Sequence, residues 1–174
     1  DPETFILRGF DLVTFPAYDE KIPTLALKND VVNKPSSGMY YSGGTIDFET
    51  VGSVPATSPA DLQHPVMSIN LPPYTSLDTT KYSALEGGIN GIRATLKNGT
   101  VCTFEITKVT ETNENGLPYE KYVLDFGEDF VMPKGESIML EYTANIALNV
   151  PETIIAIESR GFIGSGRQLP LTEE

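Results

Sequence analysis

The chain has no tryptophan, a single cysteine (Cys102) and a single histidine (His64). One cysteine excludes an intrachain disulfide. One histidine rules out a histidine-rich metal site, and with no nucleophile elbow beside it a serine-hydrolase triad has no support. The lack of tryptophan removes the widest platform for stacking on sugars. Basic residues are scarce too: 12 Lys and Arg stand against 24 Asp and Glu, for a net charge of −12. Such a surface repels the phosphates of nucleic acid. No run approaches the ~18 apolar residues that a membrane-spanning helix needs. No secretory or sorting signal is read, and an opening at Asp1-Pro2 fits a processed chain or a piece of a longer one.

What is present is alternation. Ile138, Leu140, Tyr142, Ala144 and Ile146 share one face, and Met139, Glu141, Thr143 and Asn145 the other. That period of two marks a half-buried antiparallel strand. Phe104 and Ile106 alternate with Glu105 and Thr107, and Tyr122, Leu124 and Phe126 with Val123 and Asp125. With turn signals between such segments and no convincing helix, the pattern predicts an all-β antiparallel sandwich of about 8–10 strands with little or no helix. Ile46, Phe48, Ile69, Phe104, Leu124, Leu140 and Tyr142 are expected to face inward.

The punctuation divides the chain. Residues 1–22, with apolar runs Phe5–Leu7 and Phe10–Phe15, read as an N-terminal hairpin or the remnant of a preceding module. Residues 23–166 read as the sandwich, and 167–174 as a tail or linker. Strands are predicted over Pro23–Val32, Thr45–Val51, Pro65–Leu71, Gly91–Leu96, Val101–Val109, Tyr119–Phe126, Glu136–Ala147 and Thr153–Glu158. Pro72-Pro73 stops its strand, since neither residue donates an N–H. Thr75–Tyr82 is expected to hold a short helical turn, with Ser76 and Asp78 as caps. Asn98-Gly99 signals a two-residue hairpin, and with the polar turn Glu111–Gly116 it predicts a three-stranded meander. Gly161–Gly166 reads as a flexible exit.

The chemistry-bearing residues are few. Cys102 shares a face with Phe104 and reads as a buried thiol. His64, in a loop before Pro65, reads as a surface residue. Asn98-Gly99-Thr100 matches the glycosylation acceptor pattern, but a tight hairpin accounts for it as well. Asp125, Glu128 and Asp129 lack the spacing of a calcium loop. No metal site and no cofactor are expected. Tyr40, Tyr41, Tyr74 and Tyr82 lie in or near loops, where they either stack on sugars or pack at the rim. The ligand-binding candidates are Tyr74, Tyr82, Asp61 and Asp78, expected on the two longest loops, Gly52–His64 and Pro72–Tyr82, at one end of the sandwich.

The succession "GGTIDFETVGSV", a Pro/Ser-rich loop, "PVMSINLPPYTSL" and "FVMPKGESIMLEYTANI" resembles the immunoglobulin-like repeat domains of Gram-positive bacterial surface and adhesin proteins. The elements that carry the likeness are Gly43–Ile46, Leu71-Pro72, Pro133–Glu136 and Leu140–Ala144. It implies a non-enzymatic extracellular module at the cell surface, a stalk or adhesin segment. Its expected partners are neighbouring domains and a host protein or glycan, with no nucleic acid and no membrane insertion. The alternatives are a carbohydrate-binding module using loop tyrosines and, more remotely, a two-carboxylate glycosidase. Related modules often carry a Lys–Asn isopeptide bond. Lys28 stands where such a lysine is expected, but Thr153–Ile157 offers no asparagine, so no bond is predicted.

Overall fold

A computed structural model describes residues 21–83, 85, 87–151 and 160–166. The readings of residues 1–20, Thr153–Glu158 and 167–174 lie outside them. Twelve strands follow one another: β1 (Ala26–Val31), β2 (Thr45–Ser53), β3 (Leu62–Gln63), β4 (Pro65–Asn70), β5 (Thr75–Leu77), β6 (Gly88–Ile89), β7 (Ile92–Leu96), β8 (Glu105–Thr112), β9 (Pro118–Asp125), β10 (Val131–Met132), β11 (Ser137–Ile146) and β12 (Arg160–Ser165). The count exceeds the expected 8–10 because β3, β6 and β10 are two-residue pieces.

The strands form an antiparallel β-sandwich. One sheet runs β1-β2-β11-β7-β6, with β5 paired to the end of β11; the other runs β12-β4-β9-β8; β3 and β10 make a small ribbon. Alternation sets the inward faces. Ile46, Phe48, Leu140 and Tyr142 meet Met67, Ile69, Leu124 and Ile163 in one continuous core, with Phe104 at its margin. Gly52 faces inward where the sheets come closest: a Cβ there would lie 2.7 Å from Ile163 Cδ1 and 2.8 Å from Met67 Cε. One polar seam crosses this core. The Thr50 hydroxyl donates to Asn29 Oδ1 at 2.8 Å and lies 2.7 Å from the Tyr142 hydroxyl. Satisfied in this way, the buried Thr50 and Tyr142 hydroxyls cost little. Lys28, next to Asn29, points the other way: it is 75% exposed and lies 3.6 Å from Asp30.

Four local expectations are corrected. Thr75–Leu77 is strand β5, not a helical turn, because it pairs with Ala144–Ile146. The 97–99 connection is a three-residue loop. Gly99 N–H bonds Leu96 O, Leu96 N–H bonds Thr100 O, and Gly99 alone takes positive φ, at 90°. That is a type I turn followed by a left-handed glycine. The meander also breaks there: a single bridge, Thr95 to Val101, continues the hairpin, and the chain then crosses to the opposite sheet as β8. Finally, Gly161–Ser165 is no flexible exit but belongs to β12, paired along β4. Gly161 is needed there because a Cβ would stand 2.6 Å from the Ser68 carbonyl oxygen.

The two ends of the sandwich differ. The chain approaches β1 where Thr24 N–H bonds Ser58 Oγ, and leaves β12 where Gly166 N–H bonds the His64 carbonyl. Both points are at the end where β2 finishes and β4 begins, called here the root. At the opposite end, the crown, β11 finishes, β2 begins, and the β8–β9 hairpin projects.

Candidate functional site

The crown is built by backbone bonds among three loops. Gly43 N–H reaches the Ile146 and Ala147 carbonyls, Ile146 N–H the Gly44 carbonyl, and Ala147 N–H the Tyr74 carbonyl. Gly43 φ is 80°, and Gly44 N–H closes a turn on Tyr41 O. With the backbone tied internally, large apolar side chains are left facing solvent: Val32, Met39, Tyr41 at 68% exposure and Leu148 at 80%. Beside them Tyr40 is half-buried, and its hydroxyl has no hydrogen-bond partner. Burial first, and the Asp47 carboxylate second, push that hydroxyl's pKa upward. The crown segments 33–44, 70–76 and 145–151 carry one charged residue, Lys34. Apolar and uncharged clusters of this kind mark interaction surfaces.

The root carries a different arrangement. A cleft of about 440 Å³ is lined by His64, Thr103, Phe104, Glu105, Asp125, Phe126, Gly127 and Glu128. His64 Nε2 sits 2.7 Å from Asp125 Oδ1. The imidazole is 13% exposed, not a surface group, because the positive φ of His64 (51°) turns it under the sheet edge and Gly166 packs flat on the ring. Burial pushes the Asp125 carboxyl up, but hydrogen bonds from Gly127 N–H and His64 outweigh this and leave it below the usual carboxylate range. The His64–Asp125 pair ties the residue before β4 to the end of β9; among the described residues, no three His, Cys, Asp or Glu groups are placed to hold a metal ion.

The four sequence candidates are scattered, and the two longest loops fall at opposite ends rather than one. Tyr74 is in the crown, half-buried, with φ of 66°. Asp61 is at the root, where its Oδ1 accepts the Lys134 N–H at 3.0 Å and fastens the turn before β11. Asp78 caps its own turn, accepting from Thr80 N–H, Thr80 Oγ1 and Lys81 N–H. The Thr80 bonds in particular lower its pKa. Tyr82 lies flanking the outer face of the larger sheet, its ring 5.4 Å from Lys81 Nζ, which in turn reaches Asp47 at 3.1 Å. Cys102 is buried and its thiol is pushed up to about 11, chiefly by burial. Sequence reasoning missed Met39 and Leu148; the available signal was a large apolar residue in a loop without charge.

No family model matches the chain and no curated protein matches it in sequence. Solved structures match in shape. The pilus backbone of Streptococcus pneumoniae superposes with a TM-score of 0.47 at 11% identity, over 83% of this chain and 32% of that one. A protein that catalyses macrocyclization in alchivemycin A biosynthesis gives 0.43 at 9%, over 84% and 92%. The CBM3a-L domain of a Clostridium thermocellum cellulosome scaffoldin gives 0.40 at 10%, over 73% and 70%. The chain thus spans about a third of the pilus backbone it matches.

Proposed function

We propose that this chain is a non-enzymatic, extracellular β-sandwich module of a bacterial surface protein, an adhesin segment that displays its crown. The observation that carries the reading is the crown itself. Val32, Met39, Tyr41 and Leu148 are exposed together, at the end opposite the points where the chain reaches β1 and leaves β12. A module held at its root turns this surface outward to a host protein or glycan, while its root meets neighbouring domains. Binding residues on loops held by a rigid scaffold are the general pattern. A carbohydrate-binding reading draws support from Tyr41, 68% exposed, beside the unpaired Tyr40 hydroxyl, since an amphipathic ring suits a sugar face.

The test is a glycan and surface-protein binding panel on the full chain, repeated with Tyr41→Ala combined with Leu148→Ser. Binding lost in the double variant and kept in Tyr82→Ala supports the crown. Turnover of a glycoside, ester or peptide that disappears in Asp61→Asn or Asp78→Asn would overturn the non-enzymatic reading.

A further inference from the structure

The sheet β12-β4-β9-β8 ends in an open edge. β8 pairs with β9 along Glu105–Thr112, and no strand among the described residues lies on its other side. The strand is eight residues long, and proteins usually blunt such edges with short strands, proline, bulges or charged side chains. This edge has no proline and no bulge; its charges are Glu105, Lys108 and Glu111. Its Lys108 is drawn to Glu120 of β9 at 3.4 Å, and its exposed apolar residue is Val109.

The direction of the free backbone groups follows from the hairpin. Asn113 N–H bonds Leu117 O, in the same register that sets Glu111 opposite Tyr119 and Val109 opposite Lys121. Bonded pairs alternate along an antiparallel ladder. Glu111, Val109 and Thr107 therefore bond toward β9, and Thr110, Lys108 and Ile106 aim their N–H and C=O groups at the open edge.

We propose that this edge pairs with the same edge of a second copy, antiparallel and centred on Val109, joining two four-stranded sheets into one of eight. For both outer faces to stay on one side, a residue must stand opposite itself. Centred on Lys108, the pairing sets Lys108 against Lys108 and Glu105 against Glu111, and like charges directly opposite are destabilising. Centred on Val109, it sets Val109 against Val109, Lys108 against Thr110, Thr107 against Glu111, Ile106 against Thr112 and Glu105 against Asn113. No like charges meet, two exposed valines cover each other, and nearly the whole strand is used. The edge strands β1 and β12 are shorter, six residues each, and the outward residues of β1 include the exposed Lys28 and Asp30.

Val109 and its copy form a non-hydrogen-bonded pair, whose Cα atoms come within about 4.5 Å, close enough for a disulfide. In the full chain, Val109→Cys is expected to form a disulfide-linked dimer under mild oxidant, at a rate at least ~10-fold above Thr107→Cys, whose copy is a further four residues of offset away. Sedimentation of the parent chain should show a concentration-dependent dimer. Thr110→Pro removes an N–H aimed at the edge and leaves the β8–β9 bonds intact; it should weaken dimerisation at least ~10-fold with an unchanged circular dichroism spectrum. A parent chain that stays monomeric at millimolar concentration overturns the proposal. So does Thr107→Cys cross-linking as fast as Val109→Cys, or Thr110→Pro dimerising like the parent. Capture of an added unrelated strand peptide by a monomeric parent would also overturn it, in favour of a foreign occupant.

Discussion

Root and crown are made from the same strands but held in different ways. At the root, side chains hold the backbone: Ser58 Oγ takes Thr24 N–H, Asp61 takes Lys134 N–H, Glu136 takes Lys97 and Ser137 N–H, and Ser165 Oγ donates to Gln63 O. At the crown the backbone closes on itself through Gly43, Gly44, Ile146 and Ala147. The crown has side-chain fasteners as well, Asn33 on Asp47 N–H and Thr45 O and Thr75 on Pro72 O, but Met39, Tyr41 and Leu148 there face solvent. The division separates an end laced by side chains from one that leaves large apolar side chains in solvent.

The largest effect that would sharpen this contrast is expected at the root side of the core. Gly52→Val drives a branched side chain into Ile163 and Met67, and overpacking of this kind costs about 1–3 kcal/mol; urea unfolding would measure it. Ser58→Ala comes next. Ser58 is buried, and its hydroxyl serves Thr24 N–H and Ala60 O, so the loss should be about 1–2 kcal/mol on the scale of a buried group left unpaired.

Third is a pH effect read at the root. Asp125 titrates below its unfolded value in the folded chain. Its contribution is therefore full above the unfolded value and is lost as pH falls through the lower folded value. Thermal midpoints should fall on acidification below about pH 4, the ordinary carboxylate range, and Asp125→Asn should flatten that fall. A variant that keeps the parent's full acid slope would assign the slope to other carboxylates. The thiol gives a fourth check: Cys102, buried and pushed up to about 11, should resist alkylation at pH 8 until denaturant is added. The smallest effect belongs to the crown. Leu148→Ser with Tyr41→Ser should change stability by no more than about 0.5 kcal/mol, as exposed positions do. A larger loss would mean that the crown also holds the fold together.

Much of the sandwich was legible because alternation writes burial directly. Ile138, Leu140, Tyr142 and Ala144 are all buried as their spacing predicts, and the loops around Gly116 and Gly135 turn where polar residues and glycine placed them. What failed was information held between strands rather than within them. The Asn98-Gly99 signal is local, so it foresaw a hairpin but not that the chain would leave it for the opposite sheet. Thr75–Leu77 became a strand because β11 offered it a partner, and tertiary pairing overrides weak local preference. His64 read as exposed because nothing adjacent to it in sequence reveals Asp125, 61 residues away. Of the candidate site, the two long loops Gly52–His64 and Pro72–Tyr82 were visible, but their division between two ends was not. The crown was hidden because exposure of Met39 and Leu148 is a property of the closed loops.

The order β1-β2-β11-β7 also sets a timetable. β11, among the last strands made, fills the gap between β2 and β7, and its Tyr142 lies opposite Phe48, with the ring centroids 5.3 Å apart. Until β11 is synthesised, Ile46 and Phe48 have no cover from that side, and neither half of the larger sheet can settle. Contacts spanning some ninety residues, such as Thr50 to Tyr142 at 92, place the chain among slow folders, where closing long loops must precede any gain from pairing.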